Sequence, residues 1–153
     1  MFKKIFVPLL LVGTLLFINN HPVNASPLPR FIGVNVQLNG VPIDSDVSPY
    51  IDRTTNTTYV PLRVISEGLG ASVSWNKEKQ QVTIRSNNGT TILMTVGSRT
   101  VYVNNEERIL PNAPEMPFVR VMVPLRFVSE VLGATIKVSI VDDITNVDIS
   151  TKN

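Results

Sequence analysis

The residues best equipped for chemistry in this sequence come in duplicate. "VPLRVISEGLGA" at Val60–Ala71 returns as "VPLRFVSEVLGA" at Val123–Ala134, with nine of twelve positions identical. Each block carries an arginine followed four residues on by a glutamate: Arg63 and Glu67, then Arg126 and Glu130. Five donors in a fixed fork suit a guanidinium to carbonyl oxygens, carboxylates or an anionic ligand. On a helix spanning the block, both charges stand at the wrong end for the macrodipole, and arginine before glutamate is the weaker order for an i,i+4 pair. Something outside the helix is therefore expected to compensate. The expectation is that each arginine crosses to carbonyl oxygens or a carboxylate on a neighbouring strand or loop and bolts helix to sheet. The functional alternative is an anion or polymer-carboxylate site at the same residues. Trp75 joins Arg63 and Arg126 as a candidate ligand contact, as a stacking platform for a sugar. Its repeat counterpart is Val138, and that interchange favours a core or half-core place for the indole.

Other chemistry is largely excluded. There is no cysteine, and the single histidine is His21 near the N-terminus. The familiar nucleophile–base pairs and zinc sites need those residue types. Asp44, Asp46, Asp142 and Asp143 could form a carboxylate pair for glycoside hydrolysis, but all lie in turn-rich segments where Asp is an ordinary turn residue. "DSDVSP" from Asp44 begins like a calcium loop, then puts Pro49 where glycine is needed and Thr55 where the bidentate glutamate belongs. "GLGASV" from Gly68 closes a helix, whereas a nucleotide-binding glycine loop opens one. No catalytic residue, metal site or cofactor is expected.

The elements that must position these residues follow from the same blocks. Pro61 and Pro124 are expected at the first helical position, where a missing N–H costs nothing. Gly70 and Gly133 are expected to stop the helices in the left-handed conformation. Between them Leu62, Ile65 and Leu69, and again Leu125, Val128 and Leu132, fall on one helical face. Helices of about nine residues cannot persist alone and must be held by packing. After each comes a strand, with Ala71, Val73 and Trp75, or Ala134, Ile136 and Val138, on one face. "QVTIR" at Gln81–Arg85 and "NVDIS" at Asn146–Ser150 read as further strands. Asn39-Gly40 marks a hairpin after Val34, Val36 and Leu38. Asp44–Asn56 reads as a polar loop leading to a strand at Thr58–Val60. "TTILMTVGSRTVYVNNEERIL" reads as two more strands, with turns near Gly97-Ser98 and Asn104-Asn105. The fold class is α+β: a mainly antiparallel sheet wrapped around short helices, built from two β-β-α-β-β repeats at about 32–86 and 91–150 that form one domain over 32–150.

The ends bound the compartment. Lys3 and Lys4 precede an apolar run at Ile5–Ile18, and Val23 and Ala25 supply small residues for cleavage. Residues 1–25 read as a secretory signal peptide. The run is shorter than the roughly 20 residues a bilayer span requires, so no stable membrane span is expected after cleavage. Residues 26–31 read as a short tail. Removal of the leader takes the formal charge of +2 to zero, which leaves no electrostatic footprint for nucleic acid. With no disulfides, stability must come from a packed core, and 43% hydrophobic residues supply one.

"YVPLRVISEGLGASVSWN", "VTI", "MTVGSRTVYVNN" and the second "VPLRFVSEVLGA" resemble the copper amine oxidase N-terminal-like, or stalk, domain of secreted Gram-positive proteins. The resemblance runs from about Val34 to Ile149. It implies a sheet wrapped about a helix and a non-catalytic appendage, since copper and quinone belong to another domain of the oxidases, one not expected here. The function expected is an exported, non-enzymatic binding or spacer module, secreted and wall-associated. Its partners would be cell-wall polysaccharide, peptidoglycan or another exported protein. The alternative is a self-associating scaffold or accessory domain for a separately encoded exported enzyme.

Overall fold

Val60 and Val123, the opening residues of the duplicated block, lie directly opposite one another in a β-ladder. In the computed structural model, which describes residues 28–151, strand β5 (Thr57–Pro61) pairs antiparallel with β11 (Met122–Pro124). Pro61 faces Met122 and Pro124 faces Tyr59, so equivalent residues exchange places about a local two-fold axis. The expected signal peptide, 1–25, lies outside the described residues. Among these, no helix is long and apolar enough to cross a membrane.

Helices α1 (Leu62–Gly68) and α2 (Leu125–Val131) leave this ladder on either side of the axis. Each is seven residues, shorter than expected, because its proline stays with the strand. Pro61 has φ −61° and ψ 114°, and Pro124 has φ −57° and ψ 116°. Both are extended caps one residue before the helix instead of its first residue. The Leu62 N–H, which has no partner within so short a helix, donates to the Val121 carbonyl at 3.0 Å. The expected stops hold: Gly70 and Gly133 have φ of +79° and +80°, and their N–H groups return to the Glu67 and Glu130 carbonyls.

The first sheet has the order β1-β4-β5-β11, with β1 (Phe31–Gly33) and β4 (Tyr50–Asp52). Neither strand is legible in the sequence pattern. β4 lies inside the expected polar loop Asp44–Asn56, because Tyr50 is buried against Phe31 and Tyr59 while Asp52 is buried in an ion pair with Arg30. Folded structure thus begins within the expected 26–31 tail.

The other sheets divide the repeats between them. Hairpin β6 (Ala71–Asn76)–β7 (Gln81–Ser86) joins β8 (Thr91–Thr95), β9 (Thr100–Val103) and β10 (Glu106–Ile109). The stretch expected to hold two strands therefore forms three. Hairpin β12 (Ala134–Val141)–β13 (Ile144–Thr151) joins β2 (Asn35–Leu38) and β3 (Val41–Pro42). Each sheet thus combines the C-terminal hairpin of one repeat with the N-terminal hairpin of the other. All pairings are antiparallel except β13 with β2. The α+β class stands, with three sheets in place of one.

The main apolar cluster gathers Ile65 and Val128 from the helices with Ile84, Ile92, Val101, Val147 and Ile149 from the sheets, and a smaller one holds Tyr50, Tyr59 and Met122. The seven named from the main cluster are fully buried, and each such side chain contributes about 1.5–3 kcal/mol relative to exposure. One difference between the duplicated blocks has a packing cause. Val131 stands where α1 has Gly68, and a Cβ on Gly68 would overlap Leu38 Cδ2 of β2.

Candidate functional site

The repeated arginines are not bolts. Arg63 is exposed, and its nearest carboxylate is its own helix neighbour Glu67, at 3.7 Å. Arg126 is exposed as well, with no ion pair or side-chain hydrogen bond among the described residues. In a two-turn helix the buried face is taken by Leu62, Ile65 and Ser66, or by Leu125, Val128 and Ser129. The arginines fall outside that face. The dipole cost that motivated the bolt is small over so short a helix, since the effect is spread over few peptide units. What the blocks do bury in duplicate is a serine. The Ser66 and Ser129 hydroxyls are fully enclosed and have no hydrogen-bond partner among the described residues.

Arg63 instead stands at the rim of a groove of about 890 Å³. Trp75 and Val73 of β6 form part of its floor, with Val82 of β7 beside them. Trp75 is half-buried and packs on the core, as the half-core expectation has it. Pro61, Leu62 and Arg63 form one wall, and Met116 with Val119–Val121 the other. Asp44, Ser45 and Asp46 line the groove as well. Arg120 Nε donates to Asp46 Oδ1 at 2.9 Å, and its terminal nitrogen lies 2.7 Å from Oδ2. This two-point pair ties the segment before β11 to the segment after β3. It holds the Asp46 carboxyl below the usual carboxylate range, with the Arg120 hydrogen bond as the main cause.

Sequence reasoning passed over this pair. Asp46 reads as a turn residue, and Arg120 lies in "PEMPFVRV", which has no counterpart in the first repeat. The structure brings together Pro61, Arg63 and Trp75, and leaves Arg126 outside. The groove is walled on the side of the first repeat because the chain enters β11 through residues 110–121, whereas it enters β5 through the tight β4–β5 hairpin. On the side lacking such a wall, Val138, the counterpart of Trp75, is 61% exposed.

A second anchored point lies next to the groove. Asp52 accepts from Arg30 Nε at 3.1 Å, from the Thr54 N–H at 2.9 Å and from the Thr54 hydroxyl at 2.7 Å. Close by, the Tyr50 hydroxyl donates to Glu115 and the Tyr59 hydroxyl to the Ala113 carbonyl. Burial pushes the Tyr59 phenol up to about 12 and, with the Glu115 carboxylate, raises Tyr50 further. Both phenols are therefore fixed donors that hold residues 113–115, and with them the groove wall.

Chemically the groove offers an aromatic face, apolar walls, an exposed guanidinium held only by a long contact to Glu67, and carboxylates. Among the described residues no three His, Cys, Asp or Glu converge as a metal site, and none is His or Cys, so their donor set does not fit copper. Compared with protein-family models, residues 37–144 match the copper amine oxidase N-terminal domain, more than half of the chain. No curated protein and no solved structure matches.

Proposed function

We propose that this chain, which belongs to the copper amine oxidase N-terminal domain family, is an exported, non-catalytic module that binds a cell-wall polymer. The observation that carries this reading is the placement of Trp75 and Arg63 at one groove. A half-buried indole offers a sugar ring an apolar face, while the exposed Arg63, held only by its 3.7 Å contact to Glu67, can exchange that contact for a carboxylate from a peptide stem or uronic acid. Peptidoglycan combines both chemistries in one polymer.

Sedimentation of residues 26–153 with purified cell walls tests the reading. Trp75→Ala and Arg63→Ala are each expected to weaken retention about tenfold, the loss of one stacking contact or one charge-assisted hydrogen bond. Arg126→Ala, outside the groove, is expected to bind as the parent does. Since both arginines are exposed, their variants are expected to melt within about 2 °C of the parent. Equal retention of the Trp75 and Arg126 variants would rule the groove out.

A further inference from the structure

Strand β12 forms one edge of the third sheet and has no partner on its outer side among the described residues. It is eight residues long and carries Val138, Ile140 and Val141 at 61%, 71% and 57% exposure. Sheets ordinarily protect their edges by shortness, charge or proline. Four of the other five edges follow that rule. β3 is two residues ending in Pro42, β1 and β11 are three residues each, and β10 carries Glu106, Glu107 and Arg108. The fifth, β6, is uncharged but exposes only polar residues, Ser72, Ser74 and Asn76, while Val73 and Trp75 line the groove. β12 has one charge, Lys137, in "ATIKVSIV".

Backbone geometry shows which groups this edge offers. Asp142 and Asp143 have φ of 50° and 62°, a two-residue turn closed by Val141 opposite Ile144. The closing pair of such a hairpin is hydrogen-bonded, and the pattern alternates from there. The N–H and C=O groups of Ile136, Val138 and Ile140 therefore point to the open side. Their side chains share the face that begins, at Ala134, in the core.

We propose that the partner of this edge is a second copy of the chain, with β12 pairing antiparallel with its own counterpart about a two-fold axis at Val138. Charge and length select the register. An axis at Lys137 would set two ammonium groups face to face, which is unfavourable. An axis at Val138 sets Lys137 opposite Ser139 and Ile136 opposite Ile140, and pairs the strand from Thr135 to Val141. Moving the axis to Ser139 shortens that overlap. The chosen register forms about six main-chain hydrogen bonds and joins the two exposed apolar rows into one strip. The chain already contains this arrangement once, in the antiparallel pairing of Val60 with Val123 between its own repeats. The assembly also closes on itself. The joined sheet of eight strands would end on both sides in β3, whose Pro42 and two-residue length offer no further template.

The proposal stands independently of the groove, because Trp75 and Arg63 take no part in it. Two measurements on residues 26–153 test it. Analytical ultracentrifugation is expected to show a concentration-dependent dimer that Val138→Lys abolishes; Val138 is exposed, so the monomer is expected to keep its melting temperature. Because the described residues contain no cysteine, Val138→Cys introduces a single reporter. Under mild oxidation it is expected to form a disulfide-linked dimer, since directly opposed Cα atoms at roughly 5.5 Å meet disulfide geometry. Ser139→Cys is expected to remain uncrosslinked. A parent protein that sediments as a monomer at every attainable concentration overturns the dimer. Crosslinking through Ser139→Cys but not Val138→Cys overturns the register. Failure of wall binding with the dimer intact would count against the groove alone.

Discussion

Asp52 shows how one buried side chain can govern the response of this molecule to acid. The Arg30 hydrogen bond, reinforced by two donors from Thr54, holds its carboxyl well below the usual carboxylate range, against the opposing effect of burial. A carboxylate with a depressed folded-state pKa contributes its stability above the unfolded value of about 4 and loses it as pH falls through the folded value. The parent is therefore expected to lose stability on acidification below about pH 4. Asp52→Asn should start lower by about 5 °C at neutral pH, because an amide cannot accept from all these donors. Its melting temperature should then fall less steeply with acid, which a calorimetric pH series reads directly. A variant whose acid limb parallels the parent's would remove Asp52 from this role. None of this was legible beforehand: Arg30 reads as part of a tail and Asp52 as part of a loop, and only the fold places them together. Trp75 was legible in part, because its alternation with Ala71 and Val73 showed which face it shares, though not that a wall would rise opposite it.

At the scale of elements, the duplicated helix was the most legible part of the chain. Its glycine stops and apolar face are local signals, and they appear in the structure where the spacing puts them. The prolines fell one residue short because an extended Pro can end a strand as readily as it can begin a helix. The arginine bolts failed because helix-dipole reasoning assumed longer helices than the chain builds. The Gly68/Val131 difference belongs to this scale as well. Gly68→Val, which copies the second block into the first, is expected to cost about 1–3 kcal/mol by forcing Leu38 aside. Adding Leu38→Ala should recover part of that loss, whereas the two changes would simply add if they did not meet. Chemical denaturation of the two single variants and the double variant measures the coupling. The strands missed were those whose reason to exist is non-local: β1 and β4 carry too few residues for periodicity and are held by aromatic stacking and one ion pair.

At the scale of the whole molecule, the repeats are legible in sequence but their exchange is not. Periodicity marks β-β-α-β-β twice and invites two side-by-side lobes. The structure instead completes each large sheet with a hairpin from the other repeat, a choice made by pairings that no local pattern encodes. Neither half can then bury its own core. Residues 28–96 and 97–151, produced separately, are each expected to show little protected amide signal by NMR. Mixed in equal amounts, they are expected to recover the dispersed spectrum of the intact chain. A well-folded isolated half would contradict the exchanged architecture.

The one parallel contact among the described residues, β13 against β2, has a mechanical consequence. β2 lies near the beginning of the described chain and β13 at its end, and Asn35–Leu38 runs alongside Asn146–Ile149 in the same direction. Tension applied through the two ends therefore drags these strands past each other along their length. The hydrogen bonds between them are loaded together in shear and cannot be unzipped one at a time. β1 and the Arg30–Asp52 pair yield first; behind them the chain closes on a clamp that holds its two ends under load.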